Sequence, residues 1–219
     1  MGKDKLKRFR DVDQFDNVFE YTDFENTLKP KGRWHHDIFK NSNPIVLELA
    51  CGKGEYTLNL ARKYPEKNFI GIDIKGARIW RGAKTALEEP LTNVRFIRMY
   101  IDHLDEYFAN GEVEEIWITF PDPYLRKSKS SKRLTSPKFQ KIYRSLLKPE
   151  GTIHLKTDSD FLFNYSLEVI SEEECKLINR VDDVYRERPD DPLLGIKTFY
   201  EKMHLKKGKT IHYLSFKLV

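Results

Sequence analysis

Residues 44–54 read Pro44-Ile45-Val46-Leu47-Glu48-Leu49-Ala50-Cys51-Gly52-Lys53-Gly54, and residues 68–73 read Asn68-Phe69-Ile70-Gly71-Ile72-Asp73. The run Ile45–Leu49 is a short apolar stretch of the kind a parallel strand buried on both faces needs. A glycine-containing turn follows, then a helix expected over 55–64 that Pro65 breaks. The second run predicts another strand over 68–74. Strand, glycine turn, helix and strand make the opening unit of a parallel α/β sheet.

The alternation persists downstream. A helix is expected over 75–89, stopping at Pro90, then a strand over 94–99 and a short helix over 102–108. Residues 115–120 predict a fourth strand, stopped by Pro121 and Pro123. Pro137 opens a helix over 137–147, Lys148-Pro149-Glu150-Gly151 is a turn, and 152–156 is a strand. Ser159 is placed to cap a helix running to about residue 171. The tail departs from this rhythm, because 176–184 and the alternating 211–218 both read as strands. The expected fold is therefore α/β, a mostly parallel doubly wound sheet with antiparallel edge strands. Ligands should bind beyond the carboxyl ends of its strands.

Residues 44–219 form one expected domain. Residues 1–43 mix charges with isolated aromatics, show neither helical stripe nor strand alternation, and read as an arm. Two readings of the arm stand: a segment that packs on the core, or one ordered by nucleic acid.

The chain has 219 residues, 39% of them hydrophobic, enough for one real core but cramped for two. Lys and Arg total 39 against 34 acidic residues, a net charge of +5, so polyanion binding needs a local patch. No apolar run approaches the roughly 20 residues that cross a bilayer, and residues 1–5 lack a signal-peptide core, so a cytoplasmic location is expected. Cys51 and Cys175 read as buried or incidental thiols, and the six histidines show no zinc spacing. No metal is expected.

The first strand ends on Glu48-Leu49 before the Gly52-Lys53-Gly54 turn, and Asp73 ends the second, about 20 residues on. Such a turn lets backbone approach a ligand, and such an acid accepts hydrogen bonds from ribose hydroxyls. A nicotinamide or flavin cofactor would use the same plan. Ala50, however, stands where a dinucleotide fingerprint has its first glycine, and Glu48 would repel a diphosphate while welcoming a cationic sulfonium or ammonium. Glu48 has a second reading, a helix-facing carboxylate paired with Lys or Arg, and Asp73 has one as a turn former. Asp102 either reaches the adenosine end of a cofactor or caps the following helix.

Pro121 and Pro123 fix the chain around Asp122 at the carboxyl edge of the sheet. The eight residues from Arg126 to Arg133 then carry five positive charges. Arg126, Lys127, Lys129, Lys132 and Arg133 suit phosphate contacts, against the plainer reading of a solvated charged loop.

The ordered set of these motifs resembles the bacterial tRNA (guanine-N7)-methyltransferases from about Ile45 onward. The resemblance rests on Leu47-Glu48-Leu49-Ala50-Cys51-Gly52-Lys53-Gly54, on Asn68 through Asp73, and on Phe120-Pro121-Asp122-Pro123 with the basic stretch ending Lys132-Arg133-Leu134. It continues through Leu147-Lys148-Pro149-Glu150-Gly151, Thr157-Asp158, Arg188-Pro189 and Thr198-Phe199-Tyr200-Glu201. It implies a Rossmann-like class I methyltransferase fold and S-adenosylmethionine as cofactor, contacted by Glu48, Gly52, Gly54, Asp73, Asp102 and Asp122. It further implies Asp122 as the central active-site acid, and Arg126, Asp158, Thr198 and Glu201 as holders of the target nucleotide, the variable-loop guanosine of tRNA. This chain departs from the family pattern at Ala50, at Tyr100 where an aspartate is usual, at Tyr124-Leu125 in place of Trp-Pro, and at Arg126 in place of lysine.

Guanine N7 carries a free lone pair and a sulfonium methyl is already electrophilic, so such a reaction needs positioning rather than a strong base. Asp122 would accept hydrogen bonds from the donor edge of guanine. The alternative is a catalytically inactive RNA-binding protein or partner subunit on the same scaffold.

Overall fold

A computed structural model describes residues 2–24 and 29–219. Among these residues one sheet contains β1 (Val18–Glu20), β2 (Ile45–Leu49), β3 (Asn68–Asp73), β4 (Val94–Arg98), β5 (Val113–Thr119), β6 (Leu147–Thr157), β7 (Lys176–Val181) and β8 (His212–Lys217). Their spatial order is β1-β4-β3-β2-β5-β6-β8-β7. Pairing is parallel from β1 to β6, while β8 runs antiparallel to both β6 and β7. The tail thus supplies the antiparallel edge that its alternation predicts.

The helices are α1 (Gly2–Val12), α2 (Glu55–Lys63), α3 (Gly76–Glu88), α4 (Leu104–Tyr107), α5 (Pro137–Arg144), α6 (Asp160–Glu172), α7 (Val184–Glu187) and α8 (Phe199–Lys206). Alternate residues of β2 serve opposite faces. Ile45, Leu47 and Leu49 join one core with Phe139 and Tyr143 of α5 and Leu162 of α6, whereas Val46 joins the other with Tyr56 of α2 and Ile79 of α3. This two-residue period explains why β2 is apolar nearly throughout. Glu48 falls on the α2 side.

The chain builds β2, β3 and β4 outward in one direction, then returns to place β5 on the other side of β2, with Leu49 beside Ile118. Loops leaving two strands on either side of such a reversal part, and a crevice opens between them. The turn after β2 and the Pro121–Pro123 segment after β5 are the two loops concerned.

Described parts of the N-terminal segment join the sheet and pack on its helices. β1 extends the sheet beside β4, with Val18 opposite Phe96, and α1 packs on α3. Trp80 Nε1 donates to Asp11 at 2.9 Å, and Asn17 Nδ2 to the Ala83 carbonyl at 3.0 Å. Further on, Trp34 is fully buried and stacks on Phe108 with ring centroids 5.3 Å apart. Elsewhere most predicted elements shift by a residue or two. The exceptions are α5, which ends at Arg144, β6, which begins at Leu147, and β7, which ends at Val181. The expected turn at 148–151 is a bulge within β6, with Glu150 in the left-handed region at φ 66°. Cys51 and Cys175 are free thiols, and no helix among the described residues is long and apolar enough to cross a membrane.

Candidate active site

The crevice between the β2 and β5 loops is a cavity of about 560 Å³, a size suited to a nucleoside-sized ligand. It brings together Gly52, Asp73, Asp102, Asp122, Lys132 and Thr198 of the sequence-predicted residues. Glu48, Gly54, Arg126, Lys127, Lys129, Arg133, Asp158 and Glu201 do not line it.

The turn after β2 is wound through three left-handed residues, Ala50 at φ 57°, Gly52 at φ 57° and Gly54 at φ 67°. The two glycines do different things. A Cβ on Gly54 would fall 2.5 Å from the Phe96 ring, so this glycine serves close packing against β4. A Cβ on Gly52 would meet nothing nearer than the Ala50 carbonyl at 4.0 Å, leaving this backbone open on the cavity side. Asp73 fixes the turn from beneath. One of its carboxylate oxygens accepts from Gly52 N at 2.9 Å and the other from Lys75 N at 2.8 Å. Asp73 therefore forms turns as one reading held, and it also faces the cavity as the other required.

Glu48 is 3% exposed and lies behind the cavity wall. It accepts hydrogen bonds from Thr57 N at 2.8 Å, Thr57 Oγ1 at 2.5 Å and Thr119 Oγ1 at 2.8 Å. Among the described residues no Lys or Arg pairs with it. Thr57 sits in the first turn of α2, whose N-cap Gly54 has no side chain to offer, so the Glu48 carboxyl caps the helix from an adjacent strand. Burial pushes its pKa up to about 7, against the lowering effect of the Thr57 and Thr119 bonds. Of this network, Thr119 is the member that reaches the cavity.

After β5 the backbone turns twice through the left-handed region, at Phe120 (φ 50°) and Tyr124 (φ 41°), with Asp122 exposed between Pro121 and Pro123. Such conformations are sparsely populated for non-glycine residues and persist where surrounding contacts hold them. Phe120 N donates to the Lys156 carbonyl at 2.8 Å, tying the turn to β6. Burial, reinforced by the charges of Asp122 and Asp102, raises the Tyr124 phenol pKa. Asp102 is not a helix cap: neither short helix after β4 has a side-chain cap bond, and Asp102 pairs with Lys138 at the cavity rim.

The tail supplies another wall. Thr198 caps α8 in a reciprocal box with Glu201, accepting from Glu201 N at 3.2 Å while Glu201 accepts from Thr198 N at 3.4 Å. Glu201 is fully buried, 2.7 Å from Lys156 Nζ and 2.6 Å from the Tyr185 hydroxyl that donates to it. Its carboxylate is thus committed within the protein. Asp158 stands outside the cavity, paired with Lys209 and, at 3.1 Å, with His204. Arg126, Lys127, Lys129 and Lys132 are exposed, but Arg133 is only 4% exposed. The expectation that Arg133 grips a phosphate meets a side chain already enclosed.

Sequence reasoning missed several lining residues. Lys53 lies 3.6 Å over the Phe199 ring and Arg78 5.4 Å over the Tyr200 ring, joining the glycine turn and α3 to α8. Glu55 accepts from Phe199 N at 2.6 Å. Lys53 was discoverable, since a cation between two turn glycines points toward an anion. The contacts with α8 were not, because they span 144 residues from Glu55 to Phe199.

A family model described as "Putative methyltransferase" matches residues 42–214. A tRNA (guanine-N(7)-)-methyltransferase of Christiangramia forsetii is 50% identical over 223 aligned residues, covering 99% of each chain. This chain belongs to the tRNA (guanine-N7)-methyltransferase family. A relative of that name from Bacteroides fragilis is 48% identical, covering 100% of this chain and 87% of its own. Among solved structures, the 16S rRNA methyltransferase KamB superposes with a TM-score of 0.64 over 84% of this chain and 91% of its own. At 13% identity that likeness concerns the fold alone.

For a member of the tRNA (guanine-N7)-methyltransferase family the cavity fits S-adenosylmethionine. The open face of Gly52 admits a close ligand, and Asp73 keeps carboxylate lone pairs beyond the two it uses in the turn. Ile74, Met99 and Ile101 give an apolar surface for an adenine, and Lys53 and Arg78 give cations for a carboxylate.

Proposed function

We propose that this chain transfers a methyl group from S-adenosylmethionine to N7 of a guanine in tRNA, and that the target is the variable-loop guanosine. The observation carrying this reading is that Asp122, held between two prolines, opens onto the same cavity as Gly52 and Asp73. The reading places the protein in the cytoplasm, where tRNA is processed.

S-adenosylmethionine supplies a methyl already activated on a cationic sulfur. The chain's own residues need only align the two partners. Good alignment is worth roughly 7–11 kcal/mol in well-oriented intramolecular reactions. Asp73 and the backbone at Gly52 hold the cofactor's ribose. Asp122 accepts hydrogen bonds from the donor edge of guanine, which adenine lacks, and its charge stabilises the positive charge that grows on the purine as N7 forms its new bond. Thr198 faces the target nucleotide from the α8 side, with Glu201 fixing that wall from behind. The family resemblance adds Arg126 and Asp158 as holders of the target nucleotide, and Lys127, Lys129 and Lys132 contact phosphates.

The test is direct. Purified protein incubated with methyl-labelled cofactor and unmodified tRNA should place label on guanine N7, and base mapping should find it in the variable loop. RNA binding without transfer would favour the inactive-scaffold alternative, and label on another atom would overturn the assignment.

A further inference from the structure

Arg133 ends a basic stretch whose other cations are exposed, yet it is 4% exposed. Its guanidinium has partners along one edge and over its plane. Nε and Nη2 both donate to the Tyr124 carbonyl, at 3.1 and 2.9 Å. The Tyr165 and Phe161 rings cover the guanidinium carbon at 4.2 and 4.7 Å from their centroids. Among the described residues no carboxylate pairs with it, so a backbone carbonyl is the principal acceptor of this buried charge.

The carbonyl it grips belongs to a strained residue. Tyr124 sits at φ 41°, a left-handed conformation that a residue with a Cβ holds only when neighbours enforce it. Tyr124 lines the cavity, two residues after Asp122. A forked donor on one carbonyl fixes both the position and the tilt of that peptide, which a lysine, as a single point charge, does not reproduce.

We propose that Arg133 is a positioning residue for methyl transfer: it locks the Tyr124 peptide, and through it the direction in which Asp122 faces the cavity, and it is not a phosphate ligand. The proposal rests on the methyltransferase reading above. It separates the basic stretch into four solvent-facing cations for RNA and one inward cation for the active-site turn. Adjacent residues in the sequence, Lys132 and Arg133, thereby serve opposite sides of the loop.

The experiment compares Arg133→Lys, Arg133→Gln and Tyr165→Leu with the unaltered chain, using unmodified tRNA as substrate. Arg133→Lys and Arg133→Gln should lower kcat at saturating tRNA by between roughly 10- and 100-fold, the scale of a misplaced reacting group. Tyr165→Leu, which uncovers the guanidinium without touching the loop, should lower kcat by a smaller factor. In all three, S-adenosylhomocysteine affinity should stay close to that of the unaltered chain, and so should the slope of log tRNA affinity against log salt. A slope flatter by about 0.7 in Arg133→Gln, with kcat unchanged, would make Arg133 a phosphate contact and overturn the proposal. Full activity in Arg133→Lys would also overturn it, as would parallel losses of melting temperature, cofactor affinity and kcat. Absence of tRNA methylation by the unaltered chain would instead defeat the functional reading itself.

Discussion

Lys156 and Glu201 meet at 2.7 Å with neither side chain exposed to solvent. Lys156 Nζ also donates to the carbonyls of Leu194, at 2.5 Å, and Ile196, at 3.1 Å. One buried cation from β6 therefore holds both the segment before Thr198 and the first turn of α8, which is the tail's wall of the cavity. Burial lowers the Lys156 pKa despite the opposing pull of Glu201. Lys156→Met would leave the Glu201 carboxylate buried without its cation. Breaking one side of such a pair costs about 3–5 kcal/mol, or about 10 °C of melting temperature in a chain of this size. A double Lys156→Met/Glu201→Leu variant should recover much of that loss. A single variant melting within a degree of the unaltered chain would contradict this picture.

Glu48 and His154 should give the stability profile two opposed slopes. The Glu48 pKa is raised from 4.5 to about 7, so its contribution is full below pH 4.5 and is lost as pH rises through about 7. The His154 pKa is lowered from 6.5 to about 4 by burial, where its ring stacks on Trp117 at 4.0 Å. Its contribution is present above pH 6.5 and is lost as pH falls through about 4. Each shift corresponds to a few kcal/mol, on the order of 3. Melting curves should show Glu48→Gln steepening the acid-side loss, and His154→Gln exposing a decline toward neutral pH. Profiles parallel to that of the unaltered chain would count against both assignments.

The two turn glycines should respond differently to alanine. Gly54→Ala drives a Cβ into Phe96 at 2.5 Å and strains φ, costing about 2–4 kcal/mol of stability. Gly52→Ala pays only the φ term in stability but stands its methyl in the cofactor's space, so S-adenosylhomocysteine affinity should fall about tenfold or more. Calorimetric melting and titration of the two variants separate the effects, and identical behaviour would refute the distinction.

The exposed cations of the basic loop should dominate salt sensitivity. With about four phosphate contacts from Arg126, Lys127, Lys129 and Lys132, log tRNA affinity should fall with log salt at a slope near 3. Replacing all four by glutamine should remove most of that slope. An unaltered slope would place the RNA on another surface.

Much of the fold was readable because its strands are buried on both faces: Ile45–Leu49 and Asn68–Asp73 are mostly apolar, and glycine, proline and acid mark where the chain turns. The N-terminal strand was not readable. Val18–Glu20 has three residues at a sheet edge, too few to show a period, and among the described side chains of α1 only Val12 is buried. Asp73 and Asp122 were legible as residues of the carboxyl edge, where the cavity lies, because each is fixed at a strand end. Charge alone does not report that Arg133 is enclosed, since a run of cations says nothing about which one turns inward. Thr198 and Glu201 carried a capping-box spacing that marks a helix start, and the burial of Glu201 opposite Lys156 depends on a pairing across 45 residues of chain that periodicity does not report.

The account depends most on Asp122. The decisive measurement is the single-turnover rate of Asp122→Ala on saturating unmodified tRNA, alongside its affinity for S-adenosylmethionine. The rate should fall by about 100-fold or more, as when one preorganised electrostatic partner is removed, while cofactor affinity changes far less. A single-turnover rate equal to that of the unaltered chain would contradict the role given to this carboxylate.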